Sequence, residues 1–259
     1  MNCYTVPEPP PTMLTRPLDG ASILLDLDGT LINSQKAILD SLFHSMRAVG
    51  QEPDPQGDYR WVIGPPLHDV VGAILDPFTP ERAESAITAY RAHYATLGML
   101  ASPLFEGIEA LLDRLRAQGA KLYLATSKPL HMARPILAAH GLLDRFAATY
   151  GARPDDSGAE KPELIGELIA REGVDPARAV MVGDRRFDIS GAHANRLRAI
   201  GVLWGFGGLD ELEQAGAEAI VADPEALYDA IVEQISAAAR HDGRHGTPVR
   251  QTTLSQPSG

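Results

Sequence analysis

The sequence predicts an α/β fold in which a parallel sheet carries an all-helical insert near its start. Three observations point there. Short apolar runs alternate with amphipathic stretches of helical period, the pattern of βα units. Three of those stretches run into Gly119, Gly141 and Gly173, each suited to the left-handed position that ends a helix. About 75 mainly helical residues follow the first strand before the next βα pattern begins, several times the dozen or so that a crossover needs.

Residues 1–20 contain Pro7, Pro9, Pro10, Pro11 and Pro17 but no basic start followed by an apolar run, so a flexible extension is expected there and no signal peptide. The core is expected over 21–32 and 105–238. Its strands are predicted at Ser22–Leu27, Lys121–Thr126, Phe146–Tyr150, Ala179–Val182, Ala199–Leu203 and Ala219–Val221, and its helices at Ile108–Gln118, Leu130–His140, Pro162–Arg171 and Asp188–Arg196. The insert, 33–104, shows amphipathic stretches at Ser34–Val49, Leu67–Leu75 and Pro80–Leu97. The proline-rich breaks EPDPQGD, IGPP and LDPFTP between them read as turns. Lying between the first and second strands, this helical module is placed over the carboxyl edge of the sheet, where ligands of open α/β folds bind, and is expected to act as a cap. From 239 to 259 arginine, histidine, glycine and polar residues replace any periodicity, and a disordered tail is expected.

The composition narrows the function classes. With 259 residues, 44% hydrophobic and 22% charged, the chain is of ordinary globular make-up. A formal charge of -11, from 23 basic and 34 acidic side chains, leaves no basic excess for a nucleic-acid polymer. The apolar runs are too short for a membrane span, and a single cysteine, Cys3, fits a reducing, cytoplasmic setting.

The densest chemical signal is Ser22-Ile-Leu-Leu-Asp26-Leu-Asp28-Gly29-Thr30, an apolar strand that ends in two carboxylates and a glycine turn. Taken alone, Asp-Gly could be turn chemistry and no more. Further on come Thr126 in LYLATSKP, Lys161 in AEKPELI, and Asp184 and Asp188 in MVGDRRFD. In this order and strand context the four segments resemble the four motifs of the haloacid dehalogenase-like superfamily over roughly residues 21–235. That resemblance implies a Rossmann-like parallel sheet core with an inserted α-helical cap.

The resemblance also implies roles. Asp26 would be the nucleophile that forms an aspartyl-phosphate, and Asp28 the acid and base. Thr126, with the neighbouring Ser127 and Gly29, would hold phosphoryl oxygens, and Lys161 would compensate the nucleophile and the transferring group. Asp26, Asp184, the backbone carbonyl of Asp28 and, in support, Asp188 would hold Mg2+, because carboxylates crowded beside a phosphate need a cation. Asp188 read from its position alone could equally be a first-turn carboxylate favoured by a helix dipole.

Within the superfamily, IGPPL from Ile63, TSKP from Thr126 and GDRRFDISGA from Gly183 look like the phosphoglycolate phosphatase branch, which includes chains described as 5'-nucleotidases. The expected activity is hydrolysis of a small phosphorylated metabolite, 2-phosphoglycolate first. A 5'-nucleotidase, a β-phosphoglucomutase-like phosphotransferase and an inactive binding module are the alternatives. Thr30 favours hydrolysis over the phosphoglucomutase branch, which usually has valine or isoleucine there. Gly64, Leu67 and His68 at the IGPP turn are candidates for leaving-group contact. The insert carries Lys36, Arg47, Arg60, Arg82 and Arg91 against eight acidic residues, so no basic cluster for a substrate carboxylate is evident. Gly201–Gly208, GVLWGFGG, reads as a flexible loop beside the site, and Arg185 and Arg186 receive no role.

Overall fold

The computed structural model describes residues 16–98 and 101–242. Six parallel strands, β1 (Ser22–Leu25), β2 (Lys121–Pro129), β3 (Ala148–Ala152), β4 (Ala179–Gly183), β5 (Arg198–Val202) and β6 (Ala219–Val221), form one sheet in the order β3-β2-β1-β4-β5-β6. The Rossmann-like α/β prediction therefore holds. The strands are apolar on both faces because helices cover both, as parallel sheets require. Alternate side chains go opposite ways: Ile23 and Leu25 face α4 (Ile108–Ala117) and α9 (Pro224–Asp242), while Leu24 faces α6 (Lys161–Glu172) and α7 (Arg186–Ala194). Gly173 closes α6 at φ 63, where a side-chain-bearing residue would be disfavoured.

Between β1 and β2 the chain builds α1 (Gln35–Ala48), α2 (Leu67–Ile74) and α3 (Pro80–His93), with α3 continuing into one wider turn at Tyr94–Gly98. Val71 and Leu75 of the α2 end meet Ala83 and Ala86 of α3 in a small core of their own. Thr79 caps α3 by accepting from the Arg82 amide, with Pro80 at the first helical position. The remaining helices are α5 (Leu130–Ala139) and α8 (Leu209–Ala215).

The differences from expectation are local. β1 stops at Leu25, yet Asp26 still donates its amide to Val182 O at 3.0 Å, so the ladder runs one residue past the strand. β3 starts two residues later than expected because Leu143–Arg145 is a short 3-10 turn and Phe146 is a buried plug. α7 is shifted two residues toward its start. α8 and α9 were not predicted, and α9 carries the ordered chain to Asp242, past the tail boundary expected at 239. Residues 1–15 and 243–259, on which the rest of the two extensions were read, lie outside the described residues. No helix among the described residues is long and apolar enough to cross a membrane.

Candidate active site

β1 sits between β2 and β4, the point where the chain's winding reverses, and its carboxyl end opens into the crevice that this reversal leaves. Asp26 leaves the strand there. The chain then folds back: Gly29 adopts φ +81 and gives its amide to Ile32 O at 2.9 Å. That bond occupies the Gly29 amide within the turn. Its contribution is space, since a Cβ on Gly29 would collide with the Asp184 carboxylate.

Asp184 follows β4 and is fully buried, and Asp188 lies in the first turn of α7. One carboxylate oxygen from each of Asp26, Asp184 and Asp188 lies within 4.8 Å of the others. Lys161, at the start of α6, stands among them. Its Nζ is 2.8 Å from Asp26 Oδ1, 2.6 Å from Asp188 Oδ1 and donates to Ala125 O at 2.8 Å. Asp188 makes two contacts, because its Oδ2 also accepts the Arg185 amide and caps α7 while its Oδ1 faces Lys161.

Burial raises the Asp26 carboxyl to about 6, with Asp188 and Asp28 adding and Lys161 opposing. Burial, then Asp188 and Asp26, push Asp184 well above the usual carboxylate range. Burial acts against the Lys161 ammonium, but Asp188 and Asp26 outweigh it and hold the group above its ordinary value. Three hard, buried oxygen donors fit a divalent cation, so the triad could hold a metal ion. The sign of the linkage gives a test. Asp26 stabilises the metal-free fold below its ordinary value near 3.8 and loses that contribution as pH rises through about 6. Chelated protein should therefore melt lower at pH about 7.5 than at pH about 5, a divalent cation should restore more at the higher pH, and Asp184→Asn should flatten both trends in a thermal scan.

Thr126 and Ser127 lie at the end of β2, in the wall of the crevice. The Thr126 hydroxyl accepts the Lys128 amide at 3.2 Å, and Ser127 Oγ donates to Ala159 O at 2.8 Å. Beside them stands a residue the sequence reading left without a role. Lys128 Nζ reaches both oxygens of Asp28, at 2.8 and 2.7 Å, with both side chains nearly buried. Asp28 therefore points its carboxylate at Lys128 and not into the Asp26-Asp184-Asp188 group.

A cavity of about 90 Å³ lies between these groups and the insert. Gly64 and Leu67 line it. His68 does not: the next helical position is turned about 100° away, onto an outer cleft, with its side chain 70% exposed. The insert is fastened at this turn, because the buried Arg185 donates through Nη1 to Ile63 O and through Nε to Glu211 Oε1 at 2.9 Å. The glycine run reads differently in three dimensions. Gly205 and Gly207 press against Asp184 where any Cβ would clash, Phe206 donates its amide to Asp184 Oδ2 at 2.7 Å, and Trp204 Nε1 donates to Thr30 O at 3.0 Å. GVLWGFGG is thus a close-fitting wall around one carboxylate.

Buried carboxylates around a lysine, under a helical roof at the switch point of a parallel sheet, suit an α/β enzyme that handles phosphate esters. The family described as haloacid dehalogenase-like hydrolase matches residues 23–202, and the chain belongs to that family, on its phosphatase side. It is 37% identical over 199 residues to the tyrosine-protein kinase PtkA of Mycobacterium tuberculosis, covering 76% of this chain and 67% of that one. The solved structure of PtkA superposes with a TM-score of 0.70 at 35% identity, covering 82% of this chain and 98% of that chain. The chain is also 37% identical to a 5'-nucleotidase of Pseudomonas aeruginosa, over 80% of this chain and 93% of that one. To a plasmid-borne phosphoglycolate phosphatase of Cupriavidus necator it is 32% identical, over 83% and 94% respectively.

Proposed function

We propose that the protein is a magnesium-dependent phosphomonoester hydrolase that works through an aspartyl-phosphate on a small phosphorylated metabolite, 2-phosphoglycolate first, in the cytoplasm. The observation that carries this reading is Asp26, buried at the crevice floor with Lys161 at 2.8 Å and two further carboxylates alongside. An Asp26 oxygen attacks phosphorus in line while the bond to the leaving oxygen breaks, and Asp28 supplies the proton that the leaving oxygen takes. Water then attacks the same phosphorus, Asp28 accepts its proton, and the bond to Asp26 breaks to release inorganic phosphate. To reach the leaving oxygen, Asp28 gives up at least one of its two contacts with Lys128. Thr126 and Ser127 line the pocket on the phosphoryl side, and Lys161 offsets the charge of Asp26. Bound by Asp26, Asp184, Asp188 and the Asp28 carbonyl, Mg2+ would neutralise the acidic group and polarise the phosphoryl oxygens.

The likeness to a 5'-nucleotidase over nearly that protein's whole length supports a second reading, in which the substrate is a nucleoside monophosphate. Phosphate release from 2-phosphoglycolate, from nucleoside monophosphates and from an aryl phosphate, with and without Mg2+, decides among them. Release is expected to require the cation and to be fastest from 2-phosphoglycolate. No release from any ester with Mg2+ present would leave the binding-module reading.

A further inference from the structure

The roof of the cavity contributes a cation that its overall acidity concealed. Arg91 on α3 reaches down to Asp156, in the loop between β3 and α6, with Nη2 2.7 Å from Asp156 Oδ2. Both residues line the inner cavity together with Asp26 and Asp28, and both line an outer cleft of about 780 Å³, so the pair is the wall between the two spaces. The guanidinium is only partly satisfied, because Arg91 Nε is buried without a hydrogen-bond partner. Three residues on, Tyr94 is fully buried and its hydroxyl also lacks a partner. Tyr94 opens the wider turn that ends α3, a distortion frequent at functional sites, and Lys128 Nζ stands 4.8 Å from the centre of its ring. Asp156 takes φ 64, a left-handed backbone that a non-glycine residue adopts at a cost.

Two buried donors without acceptors, carried by residues of a cavity lined also by Ile38, Leu42, Val62 and Met132, call for an anionic acceptor on an otherwise apolar body. A fork of guanidinium N–H groups is matched best by a carboxylate. The cavity is small, about 90 Å³, where pockets for drug-sized ligands measure roughly 300 Å³ and more. We infer that Arg91 and the Tyr94 hydroxyl read a carboxylate on the leaving group of a short phosphorylated hydroxy acid, and that Asp156 holds the guanidinium until the substrate carboxylate replaces it. This rests on the phosphatase reading with 2-phosphoglycolate as first substrate and adds the residues that select it. Asp156 then has two tasks in one side chain: it keeps a roof cation from being left bare, and its departure opens the inner cavity to the outer cleft.

The test compares kcat/KM for 2-phosphoglycolate with that for 2-hydroxyethyl phosphate, which has the same chain length and an uncharged hydroxymethyl group in place of the carboxylate. The wild type should prefer the carboxylate ester by at least about tenfold, the scale of one charge-assisted hydrogen bond. Arg91→Gln should lower that ratio by about 10- to 100-fold, mainly through KM. Tyr94→Phe should lower it a few fold, and Asp156→Asn should raise kcat/KM for 2-phosphoglycolate by freeing the guanidinium. Hydrolysis of both esters at equal rates, faster hydrolysis of a nucleoside monophosphate, or equal losses on both esters in the variants would overturn the inference while leaving the phosphatase reading in place. No phosphate release from any ester would overturn both. If the Arg91 variant does not fold, the wild-type preference and the Asp156→Asn result decide.

Discussion

Replacing Asp26 by asparagine is expected to lower turnover by about 10⁴-fold or more while leaving the fold in place, on the scale seen when a nucleophile is removed from other hydrolases. The amide is nearly isosteric with the carboxylate, so the packing at the end of β1 is kept and the backbone bond to Val182 O is untouched. What is lost is the oxygen that bonds to phosphorus. At neutral pH the substitution also removes a charge that burial disfavours, since the Asp26 carboxyl sits near 6. Circular dichroism should therefore be unchanged and the melting temperature little altered. Turnover within tenfold of wild type would mean that another group attacks phosphorus.

Lys161→Met is expected to cost about 3–5 kcal/mol of stability, the range for stripping one partner from a buried ion pair. The loss is large because Lys161 Nζ faces two nearly buried carboxylates and the Ala125 carbonyl at once, and the apolar side chain offers none of them a partner. Denaturant titration measures it. Adding Asp188→Asn to the variant should recover part of the loss, because one of the two stranded charges is then gone. A single variant as stable as wild type would show that water or a bound cation replaces the ammonium at no cost.

The sheet was legible because fully buried strands write themselves as short apolar runs, and Asp26, Asp184 and Lys161 were legible because each stands where such a run or a helix begins or ends. The residues that escaped notice act across distance. Lys128 meets Asp28 across 100 positions, Arg91 meets Asp156 across 65, and Arg185 meets Ile63 across 122. Nothing local marks such a pair. The insert's charge count hid Arg91 for the same reason: a total says nothing about which side chain faces the cavity. α9 carried a readable signal in Leu227, Ile231 and Ile235 at helical spacing and in Asp223, whose carboxylate accepts the Ala226 amide at 2.9 Å. The glycine run around Asp184 could not have been understood from sequence, since its meaning is the collision that a Cβ would cause with a carboxylate some twenty positions away.

Arg185 clamps the insert to the core in the covered form. The guanidinium joins the Ile63 carbonyl of the insert to Glu211 on α8, and its own backbone follows directly from Asp184, so the roof is tied to the floor next to the acidic group. Lifting the roof leaves a buried donor without its acceptor, a cost paid at every uncovering whatever the substrate.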